Sequence, residues 1–164
     1  MRQMEKGNIP VTLWNMNEPY NEVLLCLGNR YQSFANMLFE KWIIDKKNNN
    51  LLSLALEQLS LAKDIYFGKD TWGGNIIMIL LQEFQLFLEI RSFDQAKECL
   101  KNAENLFAQF EQGNIPLLFP MPILHQKILV CKGLLAVVKK NYQNAIDFFS
   151  RSIVSPFHEI NKVP

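Results

Sequence analysis

Ile76-Ile-Met-Ile-Leu-Leu-Gln-Glu-Phe-Gln-Leu-Phe-Leu-Glu-Ile90 is apolar on nearly every side. After the short break at Arg91–Asp94 comes a stripe of Ala96, Cys99, Leu100, Ala103, Leu106, Phe107 and Phe110. Steps of three and four residues mark one face of an α-helix. The stretch from Ile76 to Phe110 therefore reads as an antiparallel helical hairpin. A helix apolar all round has to be covered from more than one direction, so the hairpin needs neighbours on both flanks.

The chain supplies those neighbours. Asn17-Glu-Pro19 signals a helix start, an Asn cap with Pro in the first turn. From there Leu24, Leu27, Tyr31, Phe34, Leu38 and Trp42 carry a helical stripe to about Ile44. Asp45-Lys-Lys-Asn-Asn-Asn50 is a polar turn in which an Asn could supply a left-handed residue or a cap. Leu52, Ala55, Leu59, Ala62 and Tyr66 then share one face of a second helix. Gly68 suits the end of that helix, and Asp70 or Thr71 the cap of the next. Beyond the hairpin, Glu111 to Pro122 holds three prolines and reads as an irregular connection. A fifth helix is expected from Ile123 to Lys139 and a sixth from Gln143 to Val154. The fold class is thus all-α, one domain over 1–164: an extended lead-in 1–17 with Val11, Leu13 and Trp14 lying against the first helix, helix pairs at 18–66, 71–110 and 123–154, a Pro-containing loop at 111–122, and a tail at 155–164.

Composition narrows the function classes. The 164 residues are 49% hydrophobic and 20% charged, enough for a real core. A net charge of +1 from 17 basic and 16 acidic residues gives no basic excess for nucleic acid or a membrane surface. The start is charged and contains Pro10, unlike a secretory signal. Ile76–Ile90 and Pro122–Val138 fall short of the ~20 apolar residues of a spanning helix. Cys26, Cys99 and Cys131 read as packed thiols in a reducing compartment, which suggests a cytoplasmic or nuclear location.

The seams of the three pairs match. Placing Ala96 over Ala145 brings Phe93 onto Tyr142, Leu100 onto Phe149 and Ala103 onto Ser152; the first pair offers Leu52, Ala55, Leu59 and Ala62 at the same offsets. Small residues at the first and last of these positions admit close helix approach, and the bulky one between fills the gap. With Gly133 in the preceding helix, this pattern resembles the tetratricopeptide repeat. The aligned alanines lie 41 and then 49 residues apart rather than at the family's spacing, and Phe84 stands where Gly133 would ask for a small residue. The wider spacing and longer first helices are similar to the kinesin-light-chain style of repeat. The resemblance implies stacked antiparallel hairpins, a short right-handed superhelical array, whose first helices line a concave groove.

That groove would take Met78, Leu81, Gln82, Gln85 and Glu89 from one helix, and Lys127, Val130, Cys131, Leu134 and Val138 from another. The family's carboxylate clamp is matched only by Lys127, with Cys131 where Arg would stand. A mixed apolar and Gln-lined surface suits a hydrophobic or helical ligand, although the same residues could instead pack against an adjacent pair. Leu117, Leu118 and Phe119 are too apolar for a plain solvated loop. They either fold back on the protein, which we favour, or form a surface that a partner grips. His125 and His158 have no ligand partners at useful spacing, and no nucleophile or metal motif occurs, so no catalytic residue, metal or cofactor is expected. Gly68-Lys69 and Trp72-Gly73-Gly74 touch on phosphate binding, but read more simply as a tight connection. The expected function is a non-enzymatic scaffold for a protein or peptide partner. The alternative is a helical-bundle regulatory or assembly domain without a groove. Phe148, Phe149, Ile153 and Val154 leave the last helix apolar, which points to a homodimer, a longer array or a partner.

Overall fold

In a computed structural model the described residues are 18–67, 70–113, 117 and 119–153. The expectations placed on Val11, Leu13, Trp14, Asn17, Gly68, Lys69, Leu118, Val154, the 155–164 tail and His158 lie outside them. The described residues form six α-helices and no strand: α1 Glu18–Ile44, α2 Asn50–Tyr66, α3 Gly73–Glu89, α4 Phe93–Gly113, α5 Met121–Val138 and α6 Tyr142–Ile153. A 3-10 turn, Asp70–Trp72, leads into α3. Contacts run chiefly within the pairs α1–α2, α3–α4 and α5–α6. Lesser contacts join α2 to α3, α3 to α5 and α4 to α5.

α3 is the centre of the molecule. Its Ile76, Ile79 and Leu86 belong to a core shared with Ala35, Leu38 and Trp42 of α1 and Ala55, Leu59 and Tyr66 of α2. Its Ile77, Leu81 and Phe84 face a second core with Ala96, Leu100 and Ala103 of α4 and Leu124, Ile128 and Cys131 of α5. This is why the sequence of α3 is apolar on nearly every side. Ala55 and Ala96 are 0% exposed and Ala145 3%, so each sits where a larger side chain would force the helices apart.

The connections inside the second and third pairs are one and the same device. Arg91 and Lys140 adopt left-handed backbone, with φ of 62° and 57°. The N–H of Ser92 donates to the carbonyl of Phe87 at 2.8 Å and that of Arg91 to Leu88 at 3.1 Å; Asn141 donates to Ala136 and Lys140 to Val137, both at 2.9 Å. This is a Schellman closure made twice. In each case the next residue starts the following helix: Ala96 N–H donates to Ser92 and Ala145 N–H to Asn141, both at 3.0 Å. The first pair closes differently. No residue of Asp45–Asn50 has positive φ; of the two roles open to an Asn there, Asn49 takes the cap position of α2, without a side-chain cap hydrogen bond.

Two boundaries differ from expectation for physical reasons. α4 runs on through Glu111 to Gly113, and α5 begins at Met121, so the irregular connection is shorter than 111–122. Pro122 sits in the first turn of α5, where its missing N–H would have had no partner in any case. With Met121 included, α5 is an 18-residue helix long and apolar enough, by length and composition alone, to cross a membrane, as the core helix of a soluble protein also can be. Here it packs against α3, α4 and α6, with Leu124, Ile128, Leu129, Cys131, Gly133 and Ala136 buried.

Candidate functional site: a cleft across the first helices of the pairs

α1, α3 and α5 are the first helices of their pairs, and between them opens a cleft of about 410 Å³. Met78, Leu81, Gln82 and Gln85 line it from α3. Gln126, Lys127, Val130 and Cys131 line it from α5, and Asn36 closes the α1 side. Residues 78, 81, 82 and 85 recur at the three- and four-residue steps that hold one helix face, as do 126, 127, 130 and 131. The wall is therefore set by the same periodicity that forms the helices.

Its α1 side is tied by side-chain amides. Gln32 Nε2 donates to Gln82 Oε1 at 2.7 Å, and Gln82 Nε2 donates to Asn36 Oδ1 at 2.6 Å. The chain of bonds continues inward, where the Tyr66 hydroxyl donates to Asn29 Oδ1 at 2.6 Å and lies 3.4 Å from Gln32 Oε1. Tyr66 is fully buried. Burial pushes its phenol above the ordinary value, with a side-chain hydrogen bond from Asn75 working the other way. The phenol is thus a fixed neutral donor that anchors the amide row. Gly28 makes room for it, since a Cβ there would fall 2.6 Å from the Tyr66 ring.

Of the residues picked out from sequence, the structure brings Gln82, Gln85, Lys127 and Val130 together on this cleft, with Met78, Leu81 and Cys131. Glu89 lies exposed at the last turn of α3, and Leu134 is half-buried against the second core, so neither lines the cleft. Leu117 and Phe119 also pack, half-buried, against the second core rather than on the cleft wall. Sequence reasoning missed Asn36 and Gln126. Gln126 stands four residues before Val130 on the same helical face, a signal that was present; Asn36 becomes visible only once α1 is packed beside α3.

Among the described residues, Lys127 is the one charged group on the cleft wall and Cys131 its one thiol. Burial pushes the Cys131 thiol up to about 12, against a smaller opposing pull from Lys127, so it is a protonated apolar contact rather than a nucleophile. His125 is exposed and stacks on Phe107 at 5.7 Å. Among the described residues no group of three or more His, Cys, Asp or Glu could hold a metal ion. The glycines before α3 serve packing: a Cβ on Gly73 would fall 2.0 Å from the Phe110 ring, and one on Gly74 3.0 Å from Phe119 Cβ.

Two ion pairs fix the joints on either side of the cleft. Lys63 Nζ of α2 lies 2.8 Å from Glu83 Oε1 of α3, and Lys132 Nζ of α5 lies 2.7 Å from Glu104 Oε1 of α4. Glu83 is 7% exposed, and its other oxygen lies 4.0 Å from the Cys99 sulfur. Burial, reinforced by the Glu83 charge, pushes that thiol up to about 11.

Comparison with known proteins gives no match: no family model, no curated protein and no solved structure matches the chain.

Proposed function

We propose that this protein is a non-enzymatic scaffold of three stacked, tetratricopeptide-like helix pairs, and that the cleft across α1, α3 and α5 receives a peptide or a partner helix. The observation that carries the reading is the composition of that wall: four side-chain amides, an apolar strip of Met78, Leu81 and Val130, and a single Lys127. Amides can pair with a ligand's backbone or polar side chains while the apolar strip takes its hydrophobic anchors. Support for stacking comes from the buried Ala55, Ala96 and Ala145, from the repeated Schellman turn, and from contacts that follow sequence order. A peptide-binding role in a cytoplasmic or nuclear setting, without cofactor, fits this surface better than catalysis.

A displayed random-peptide library panned on the full chain tests it. Val130→Arg and Gln85→Trp, each placing bulk in the cleft, serve as counter-selections. Enrichment of related sequences on the unmodified protein, lost on both variants with thermal unfolding unchanged, supports the proposal. Enrichment that ignores both variants, or no enrichment, returns the chain to the alternative of an assembly domain without a groove.

A further inference from the structure

The repeated turn aligns α3 with α5 residue by residue. Ser92 N–H donates to the Phe87 carbonyl where Asn141 N–H donates to that of Ala136, so Phe87 and Ala136 hold one position in their pairs. By the same register Glu83 answers to Lys132 and Ile90 to Lys139. At the first joint the Phe87 ring packs, half-buried, against the first core. At the second joint a methyl group stands in its place, and a pocket of about 280 Å³ opens between α4, α5 and α6. Leu100 of α4 with Leu135 and Ala136 of α5 make its apolar floor, and Phe148 of α6 is one wall. Lys132 Nζ lies 5.1 Å from the centre of the Phe148 ring, a cation–π contact that holds the wall in place. A space left by a missing ring in a repeated frame fits another ring.

The rim of the pocket is polar and positive. Glu104 and Lys132 match one another's charge at 2.7 Å. Lys139, standing where Ile90 does at the first joint, lines the pocket and makes no ion pair among the described residues. Asn141 and Asn144 line it too. The Asn141 side-chain oxygen accepts the Asn144 N–H at 3.2 Å, while the side-chain NH2 groups of both have no acceptor among the described residues. One unmatched cation and two free amide donors select a negatively charged acceptor. Residues 132, 135, 136 and 139 fall on nearly the opposite side of α5 from 126, 127, 130 and 131, at about 3.6 residues per turn, so this pocket is separate from the cleft.

We infer that this pocket is a second binding site, for an aromatic acid whose ring enters where Phe87 stands at the first joint and whose carboxylate lies beside Lys139. Chemical-shift titration of the full chain with 3-phenylpropanoate at neutral pH tests it, with 3-phenylpropanamide as the uncharged control. Saturable shifts centred on Ala136, Lys139, Asn141 and Asn144, with the acid about fivefold tighter than the amide, support the inference. Lys139→Ile, which copies the first joint at an exposed position, should bring the acid down to the level of the amide. Ala136→Phe, which restores the ring, should abolish binding of both. Acetyl-glycyl-phenylalanine separates the two sources of such a group: tighter binding than 3-phenylpropanoate marks the end of a peptide chain, weaker binding a free acid. No saturable shift, equal binding of acid and amide, or undiminished binding after Ala136→Phe overturns the inference. If Ala136→Phe melts early, the acid-to-amide ratio in Lys139→Ile decides, and an unchanged ratio overturns it. Met78 to Gln85 and Gln126 to Cys131 should stay quiet, so the result is independent of what the cleft binds.

Discussion

Lys132 Nζ and Glu104 Oε1, 2.7 Å apart, join α5 to α4 in the place where Lys63 and Glu83 join α2 to α3 with the signs reversed. The two pairs differ in burial, and burial decides what each is worth. Both side chains of the second pair are more than a third exposed, at 34% and 38%, whereas the Glu83 side chain is 10% exposed. Glu104→Gln should therefore cost under about 1 kcal/mol, and less in high salt. Glu83→Gln should cost about 2 kcal/mol, because Lys63, its side chain 26% exposed, loses its counter-charge in a pair largely shielded from water. Urea unfolding of the two variants measures the difference, and equal costs would refute the ranking.

Gly133 of α5 faces the Phe149 ring of α6. A Cβ there would lie 2.5 Å from Phe149 Cε1, too near for the ring to remain where it is. Gly133→Leu should destabilise by about 2 kcal/mol despite leucine's better helix propensity. Phe149→Ala added to it should recover part of that loss, a coupling that a double-mutant cycle reads directly.

Phe119 seals the far end of α3, its Cβ set against Gly74. It is half-buried in the second core with Leu117. Phe119→Ser should lower the thermal midpoint while leaving the helical circular dichroism at low temperature intact, a loss of about 2 kcal/mol for a partly buried ring. An unchanged midpoint would show that this ring contributes nothing to the core.

The thiols give a pH signature. Cys99 and Cys131 are raised to about 11 and about 12 from an ordinary value of 9.0. The folded state therefore holds their protons where the unfolded state releases them, so their contribution is complete below pH 9 and falls away as pH rises toward 11 and 12. Unfolding by urea should become easier above pH 9. At pH 8 the exposed Cys26 should alkylate quickly and the two buried cysteines only on unfolding. Rapid modification of Cys131 in the folded protein would contradict its placement.

The helical character, the six elements and the central position of α3 were legible because apolar periodicity is a local property of sequence. So was the grouping of Met78, Leu81, Gln82 and Gln85 on one face, and of Lys127, Val130 and Cys131 on another. Legibility failed where a residue's role depends on what it meets. Arg91 and Lys140 take a backbone conformation that composition would assign to Gly or Asn, because the helix-closing hydrogen bonds of the turn impose it. Pro122 was read as a helix breaker, although the first turn tolerates it. Glu83 is buried within α3 beside Lys63, a partner twenty residues away that no local pattern singles out. Asn36 joined the cleft only through its bond from Gln82.

Chemical-shift mapping with the tightest peptide from the library selection tests the central claim most directly. The account predicts amide perturbations concentrated at Asn36, Met78 to Gln85 and Gln126 to Cys131, with α6 and the outer face of α2 quiet. Perturbations centred on the Phe110–Phe119 end, or spread evenly over the helices, would contradict it.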